Sequence, residues 1–288
     1  MDHLTDEERQ CENHFTLTHQ RLDDGRFQLK LPLKVSPSCL GSSYKIAVQR
    51  LKQLERKFVR NPERREAYIS FMREYSNCHH IELVPANEVT QNSPQHYVCK
   101  EESTTTKLRV VFNASCKTTT GKSLNDCMMI GPTIQKTVLY ILMKFWINLI
   151  AFTADVKQMY RQILVSPEDC NYQRIVWREN PADPIQHYRL LTFTYGTAAA
   201  PHMATRVLQQ LAIDEGKQFP LAAETVLNDF YVDDCRSAAS TLDKAKQRQT
   251  ELMNLIAKGG LELRKWSSNS SALLESIPEE LRESKSVL

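Results

Sequence analysis

Apolar residues recur at helical spacing over two segments in the first third of the chain. Ser42 and Ser43 precede a stripe of large apolar side chains three or four positions apart, which predicts an amphipathic helix. Asn61-Pro62-Glu63 opens a second helix, because proline is favoured in the first helical turn. The inward side chains of the two helices are Tyr44, Ala47, Val48, Leu51, Leu54 and Phe58, followed by Tyr68, Phe71, Met72 and Tyr75.

Other apolar runs predict strands. The Asp24-Gly25 turn precedes an alternating segment at residues 27–31, so a small hairpin is expected within the first 35 residues. Residues 108–112 form the clearest strand of the stretch 85–123. The most apolar segment, residues 137–152, is too short for a membrane span and indicates the end of a helix followed by a buried strand.

The order of the remaining elements is informative. A strand over residues 147–155 is followed by a helix that begins near Pro201 and by a hairpin at residues 226–239. Thr241 then caps a helix that Gly259-Gly260 terminates, and residues 261–266 form a last strand. Strand, helix, hairpin, helix and strand in this order are the split βαβ arrangement. In that arrangement the first strand lies beside the hairpin, so the carboxylate of Asp155 is expected beside those of Asp233 and Asp234.

Paired acids are predicted at the tip of the hairpin, in Tyr231-Val-Asp-Asp234. Two adjacent carboxylates repel each other and resist desolvation, so a cation usually stabilises them. A solvated Asp-Asp turn is the plain alternative. With Asp155 the set becomes three carboxylates, which can hold two Mg²⁺ ions, with Mn²⁺ as the alternative metal.

Composition narrows the class of protein only slightly. The 288 residues carry a net charge of +3, with 25% charged and 41% hydrophobic residues, as is typical of a globular protein. Residues 50–73 and 100–122 are rich in basic residues, which can follow a phosphate backbone or form a solvated face. The eight scattered cysteines form no Cys-x-x-Cys pair, and no signal peptide or transmembrane segment is evident, so an intracellular, cytoplasmic setting without membrane contact is predicted.

Several motifs in this order resemble those of reverse transcriptases. Tyr231-Val-Asp-Asp234 resembles their signature, Asp155-Val-Lys-Gln-Met-Tyr160 their first catalytic motif, and the segment from Tyr195-Gly196 to Pro201 the motif that supports template and nucleotide. The segment 107–132, the segment 260–269 and the N-terminal Asp24-Gly-Arg-Phe are similar to the Bel/Pao branch of LTR retrotransposons. The resemblance covers nearly the whole chain.

The resemblance implies roles for individual residues. Four residues would bind the metal ions, with Asp234 the least direct ligand: Asp155, the carbonyl of Val156, Asp233 and Asp234. Tyr160 would stand under the sugar and exclude a ribose 2′-hydroxyl; a core aromatic is the alternative.

Further roles concern the incoming nucleotide. Arg109 would pack on its base, unless it is a plain surface arginine. Lys100 or Lys107 would reach the γ-phosphate, and the sequence leaves both open. Lys265 would be the acid for pyrophosphate, or else a solvated lysine. Gly196 and Pro201 would shape the template-side turn, although both also suit an ordinary loop before a helix. Tyr195 would join Gly196 in binding the substrate.

The fold that the resemblance implies is an α+β right-hand polymerase with a helical N-terminal extension. Residues 1–80 would form that extension (a hairpin and two helices) and residues 81–145 the fingers. Residues 146–270 would form a split βαβ palm, with an inserted fingers segment near 165–195. Residues 271–288 would lead to a thumb that is largely absent. Asn113 departs from the family pattern, which has Asp at that position.

The implied activity is transfer of deoxynucleotides to a primer 3′ end on an RNA or DNA template. Partners would be primer–template and dNTPs, with the RNase H, integrase and protease domains of the Pol polyprotein missing from this chain. A catalytically silent retrotransposon remnant that binds nucleic acid or a protein partner is the first alternative. An RNA-dependent RNA polymerase is the second, and Tyr160 disfavours it.

Overall fold

The computed structural model describes residues 4–88, 95–96, 98–101 and 109–283. Its described helices are α1 Asp6–Thr18, α2 Tyr44–Arg60, α3 Pro62–Asn77, α4 Leu124–Cys127, α5 Val138–Ile147, α6 Ala200–Glu215, α7 Pro220–Asn228, α8 Leu242–Lys258 and α9 Ser271–Leu274. Its described strands are β1 Gln20–Arg21, β2 Phe27–Leu29, β3 Ile81–Leu83, β4 Gln95–His96, β5 Val98–Glu101, β6 Arg109–Phe112, β7 Ile150–Val156, β8 Leu164–Val165, β9 Arg174–Trp177, β10 Gln186–Leu190, β11 Phe230–Tyr231, β12 Asp234–Ala239 and β13 Leu263–Ser268. The fold is therefore a mixture of α-helices and small β-sheets.

Contacts divide the chain into two compact units. The first contains residues 1–19, 28–131 and 163–200, and the second contains residues 20–27, 132–162 and 201–288. The predicted domain boundaries stay predictions. None of the described helices combines the length and the apolar character that a membrane span needs.

The first unit has an aromatic core under α2 and α3. Phe58, Tyr68 and Trp177 pack together there, with ring centroids 5.1 to 6.5 Å apart. The strands β9 and β10 form an antiparallel hairpin beneath these helices, and β3 and β4 pair with its two edges. The stripes predicted for both helices are the faces that pack into this core, which confirms the two N-terminal helices.

The second unit is built around the sheet β11-β12-β7-β13. The strand β7 lies between β12 and β13 and is antiparallel to both. The helix α8 packs against β12 and β7, and α5 packs against β12 and β11. Strand, helix, hairpin, helix and strand occur as predicted, and the first strand lies beside the hairpin.

Several boundaries differ from the predictions. The strand predicted from residue 147 begins at Ile150, because residues 138–147 are helical. Thr137 caps that helix by accepting a hydrogen bond from the amide of Tyr140 at 3.3 Å. A continuous apolar run does not distinguish a helix from a strand by its periodicity, so this limit was placed three residues too early.

Four of the described helices were not predicted: two of nine or more residues, α1 and α7, and the four-residue helices α4 and α9. The first, α1, begins with a capping box in which Thr5 and Glu8 each bind the other's backbone amide. The second, α7, has Pro220 in its first turn. Both start signals stand in the sequence. The predicted turn before β2 is present, since the amide of Gly25 donates to the carbonyl of Leu22 at 2.9 Å and Gly25 has a φ of +86°.

Candidate active site

Three aspartates meet at one edge of the sheet in the second unit. Asp155 lies near the end of β7, and its Cα is directly opposite that of Asp234, the first residue of β12. Directly opposed residues of antiparallel strands have Cβ atoms about 4.5–5.5 Å apart. Asp233 lies in the hairpin turn directly before Asp234. Its carbonyl oxygen accepts a hydrogen bond from the amide of Val156 at 2.9 Å. The predicted juxtaposition of the three residues is present.

Alternation along β7 explains why Asp155 is available to a ligand. Ala154 and Val156 are buried in the core, whereas the residue between them is on the opposite face of the strand. The Asp155 side chain is 16% exposed to solvent. The carboxylate therefore projects away from the apolar side of the sheet but is largely sheltered by its neighbours.

The hairpin turn contains a strained residue. Val232 has a φ of +56°, a conformation that a β-branched residue adopts at a cost of about 1–3 kcal/mol. Its amide donates to Oε1 of Gln135 at 3.1 Å. A two-residue hairpin loop with positive φ at its first position usually has glycine there. The side chain of Gln135 thus helps to hold the turn that presents Asp233.

Basic side chains from β13 reach the aspartates. Nε of Arg264 donates to Oδ1 of Asp155 at 2.9 Å, and Nζ of Lys265 lies 3.4 Å from Oδ2 of the same carboxylate. Arg236 of β12 lies 3.8 Å from the carboxylate of Asp234. Both oxygens of Asp155 thus face basic groups, so a metal ion that binds there would compete with Arg264 and Lys265 for this carboxylate.

A bulge in β13 brings two consecutive basic residues to the same carboxylate. Arg264 is opposite Asp155 and Ser267 is opposite Thr153, so Lys265 and Trp266 together face the single residue Ala154. Lys265 has a φ of +53°, which marks it as the extra residue. In a regular strand, consecutive side chains point to opposite faces.

Burial and neighbouring carboxylates disfavour the ionised form of Asp233. Burial raises the pKa of the Asp233 carboxyl above its ordinary value, and the negative charges of Asp155 and Asp234 raise it further. The backbone amide of Asp233 and the Lys265 ammonium oppose this rise in pKa. Among the described residues, no three His, Cys, Asp or Glu side chains are arranged to hold a metal ion together. The predicted magnesium site stays a prediction.

A buried ionic network connects the hairpin to two neighbouring helices. Asp229, 1% exposed, lies 2.7 Å from Nζ of Lys144 and 3.6 Å from a guanidinium nitrogen of Arg248. The hydroxyl of Ser237 donates to the same carboxylate, and the amide of Arg236 donates to the backbone carbonyl of Asp229. Breaking such a network leaves charges buried without partners. Asp229 therefore ties the hairpin to α5 and α8.

Tyr160 lies in the same unit as the aspartates. It is part of the short 3-10 helix Met159–Gln162, which follows β7, and is 7% exposed. A buried ring at this position is compatible with a sugar-excluding role and with a core aromatic. Its predicted role stays a prediction.

The residues predicted to contact nucleotide and template belong to the first unit. Lys100 lies on β5 opposite Val110, and Arg109 on β6 opposite Glu101. Lys107 lies outside the described residues. Their predicted roles are not tested by these positions.

The turn at Gly196 requires glycine. Gly196 has a φ of +105°, and a Cβ atom there would lie 2.2 Å from the carbonyl oxygen of Phe112. The side-chain amide of Asn125 donates to the carbonyl of Gly196 and accepts from the amide of Ala198, both at 2.9 Å. Tyr195, which precedes this turn, is 43% exposed. The turn is therefore locked against the end of β6.

Asn113 follows β6 directly and has a local structural role. Its Oδ1 accepts a hydrogen bond from the amide of Ser115 at 2.9 Å. An aspartate would accept the same bond, since both residue types form this turn. The departure from the family pattern therefore leaves this turn intact.

Sequence reasoning missed three residues that shape the site. They are Arg264, Gln135 and Asp229. Arg264 lies inside the segment 260–269 and Asp229 inside the hairpin segment 226–239, so the available signal was a charged residue that needs a partner. Gln135 lies almost one hundred positions from the turn it binds, and no local pattern marks it.

Comparisons with known proteins give a distant structural likeness. No protein-family model matches the chain, and no curated protein matches it. Among solved structures, the chain is similar to the foamy viral protease-reverse transcriptase dRH in complex with ds DNA. The identity is 12%, the TM-score is 0.47, and the match covers 66% of this chain and 28% of that chain. The chain thus spans little more than a quarter of the length of that structure, and a likeness at this level assigns neither a family nor an activity.

Proposed function

We propose that this chain is a fingers-and-palm fragment of an RNA-directed DNA polymerase of the Bel/Pao type. Asp155, Asp233 and Asp234 are its catalytic carboxylates in this proposal. The observation that carries it is the strand register that sets Asp155 opposite Asp234, with Asp233 in the adjoining turn. The motifs of the sequence supply the reaction class.

The donor set suits divalent cations with hard oxygen ligands. Carboxylate and carbonyl oxygens are the ligands that Mg²⁺ and Mn²⁺ accept in proteins. Asp155, Asp233, Asp234 and the carbonyl of Val156 would hold the ions. Bound ions would activate the primer 3′-hydroxyl and neutralise the charge of the departing pyrophosphate.

The remaining side chains position the substrates in this proposal. Tyr160 excludes the ribose 2′-hydroxyl, and Lys265 supplies a proton or a positive charge on the pyrophosphate side. Lys265 and Arg264 also keep Asp155 neutralised until the primer–template, dNTP and metal ions bind. Arg109 with Lys100 or Lys107 contacts the nucleotide, and the turn at Gly196 supports the template.

Primer extension on an RNA template with Mg²⁺ tests the proposal. Asp155→Asn and Asp233→Asn should each lower the extension rate by at least about 100-fold, because they remove charge that the transition state needs. Asp183→Asn, at an exposed aspartate of the first unit, is the matched control and should retain full activity. Thermal melting of each variant shows that the fold is kept. Full activity of Asp155→Asn would refute the mechanism.

A catalytically silent protein that binds nucleic acid is the second candidate. It is favoured by the pairing of both Asp155 oxygens with Arg264 and Lys265. It predicts tight primer–template binding, no extension with Mg²⁺ or Mn²⁺, and the same binding by Asp155→Asn as by the parent. Metal-dependent extension by the parent excludes it.

A further inference from the structure

The helix α5 is apolar on two opposite sides. Ile141 faces the core of the second unit and is 2% exposed. On the other side, Leu139, Met143 and Trp146 follow one another at helical spacing and are 67%, 54% and 71% exposed. A helix that is apolar all round is normally covered all round. The described part of the chain covers only one side of α5.

The uncovered side is large enough for a stable interface. We define the α5 face as the residues Leu139, Tyr140, Met143, Trp146, Ile147 and Leu149, which are 47% to 80% exposed. With roughly 150–250 Å² for a large side chain, their exposed surface is on the order of 750 Å². The largest apolar patch of a typical monomer is about 300–600 Å², whereas a standard protein–protein interface buries about 800 Å² on each partner.

The charges around the α5 face fit a second copy of this chain. The α5 face contains no charged residue, so two copies can meet there without like charges opposing each other. Lys144, the charged residue within α5, is directed to Asp229 at 2.7 Å and away from this face. Lys136 lies one residue before the helix cap, with its ammonium 5.7 Å from the ring centre of Tyr140. In an antiparallel pair it would approach the C-terminal end of the partner's α5, where a cation is favoured.

We propose that the α5 face is a homodimer interface, in which the α5 helices of two copies pack antiparallel about a two-fold axis. The same patch is used on both subunits, as closed two-fold symmetry requires. Met143, at the middle of the stripe, lies nearest the axis. This proposal is independent of the catalytic one, because none of its residues belongs to the candidate active site.

Sedimentation of the full chain over a range of protein concentrations tests the proposal. The parent should show a reversible monomer–dimer equilibrium. The double variant Met143→Glu/Trp146→Glu should raise the dimer dissociation constant at least ~100-fold, because it places like charges opposite each other in an apolar contact. Ile213→Glu, at a 61% exposed position on α6, is the matched control and should leave the equilibrium unchanged.

Crosslinking gives a second measurement that does not depend on charge. Under mild oxidation by a disulfide reagent, Met143→Cys should form an intermolecular disulfide, with the electrons passing to the reagent as two thiols. Ile213→Cys should not form one. A parent that stays monomeric at all concentrations would overturn the proposal, and so would an association that the double variant leaves unchanged.

Discussion

At the scale of single residues, the backbone strain at Val232 can be measured through folding stability, separately from the chemistry of the site. Val232 has a positive φ in the hairpin turn that presents Asp233, and glycine adopts this conformation without a steric cost. We therefore expect Val232→Gly to leave the free energy of unfolding unchanged or to raise it by about 1 kcal/mol. Chemical denaturation measures this difference.

A helical valine provides the comparison for that substitution. Val226, which is buried in α7, should lose about 2–4 kcal/mol on replacement by glycine, because a cavity and a poor helix former are introduced together. An equal loss for Val232→Gly would show that the turn is not strained in solution.

Substitutions of Tyr160 distinguish a role in excluding the ribose 2′-hydroxyl from a role in packing the core. Its ring is almost fully buried, so Tyr160→Ala should both weaken the fold and open the space that a 2′-hydroxyl needs. We expect the efficiency ratio of rNTP to dNTP incorporation to rise at least about tenfold, because this selectivity comes from a steric penalty. Single-nucleotide incorporation kinetics measure the ratio.

Tyr160→Phe keeps the ring and removes only the hydroxyl, so it should leave the ratio unchanged. An unchanged ratio of rNTP to dNTP incorporation in Tyr160→Ala would indicate that Tyr160 is only a core aromatic.

At the scale of elements, the cap of α4 depends on one ionised carboxylate. The amide of Ser123 donates to Asp126 at 2.7 Å, and Lys117 pairs with the same oxygen. The hydrogen bond from Lys117, followed by those from Ser123, holds the pKa of Asp126 well below its ordinary value of 3.8. A depressed pKa in the folded state contributes stability above the unfolded pKa, and this contribution is lost as pH falls.

Melting temperatures between about pH 7 and pH 3 test the sign of this effect. The parent should be more stable than Asp126→Asn at neutral pH, and the difference should shrink as the pH falls through 3.8 and below. A difference that stays constant for Asp126→Asn would mean that its charge does not support α4.

Elements with local signals were predictable from the sequence. Thr241 and Gly259-Gly260 mark the two ends of α8, and the hairpin before it has an aromatic run that leads into paired acids at its turn. The pairing of Asp155 with Asp234 followed from the order of elements alone. In contrast, the start of β7 was misplaced because residues 138–147 are apolar except for Lys144 and lack a distinguishing period.

At the scale of the whole molecule, the two units interleave along the chain. Each consists of three separate segments, and contacts between distant segments decide which segments belong together. Local composition does not change at residues such as 131 or 200, where the chain passes from one unit to the other. For the same reason, the contact of Gln135 with Val232 could not be predicted from the sequence.

Binding of nucleic acid should depend on the first unit's exposed cations. Lys52, Arg56 and Arg60 lie exposed along α2, and none forms an ion pair with a described residue. If they contact phosphates, replacing all three by alanine should reduce the slope of log affinity against log salt by about 2.7, since each phosphate contact contributes about 0.9. Titrations with an RNA–DNA duplex at several salt concentrations measure this slope.

The charge-matched control removes three exposed lysines from the second unit. The variant Lys217→Ala/Lys246→Ala/Lys258→Ala has the same net charge as the α2 variant and should keep the parental slope. Equal effects of the two triple variants would indicate a dependence on net charge alone, and a flat salt dependence of the parent would exclude phosphate contacts.

The bulge in β13 also makes the chain tolerant to a change in length. Lys265 is an extra residue opposite Ala154, and Trp266 lies on the same buried side as its neighbours on β7. Deleting Lys265 would convert the bulge into regular pairing, with Arg264 still opposite Asp155 and Trp266 opposite Ala154. Both faces of the sheet would keep their side chains, and only one cation would leave the site. A homologous sequence shorter by one residue at this point would therefore keep the same fold, with one positive charge fewer beside its aspartates.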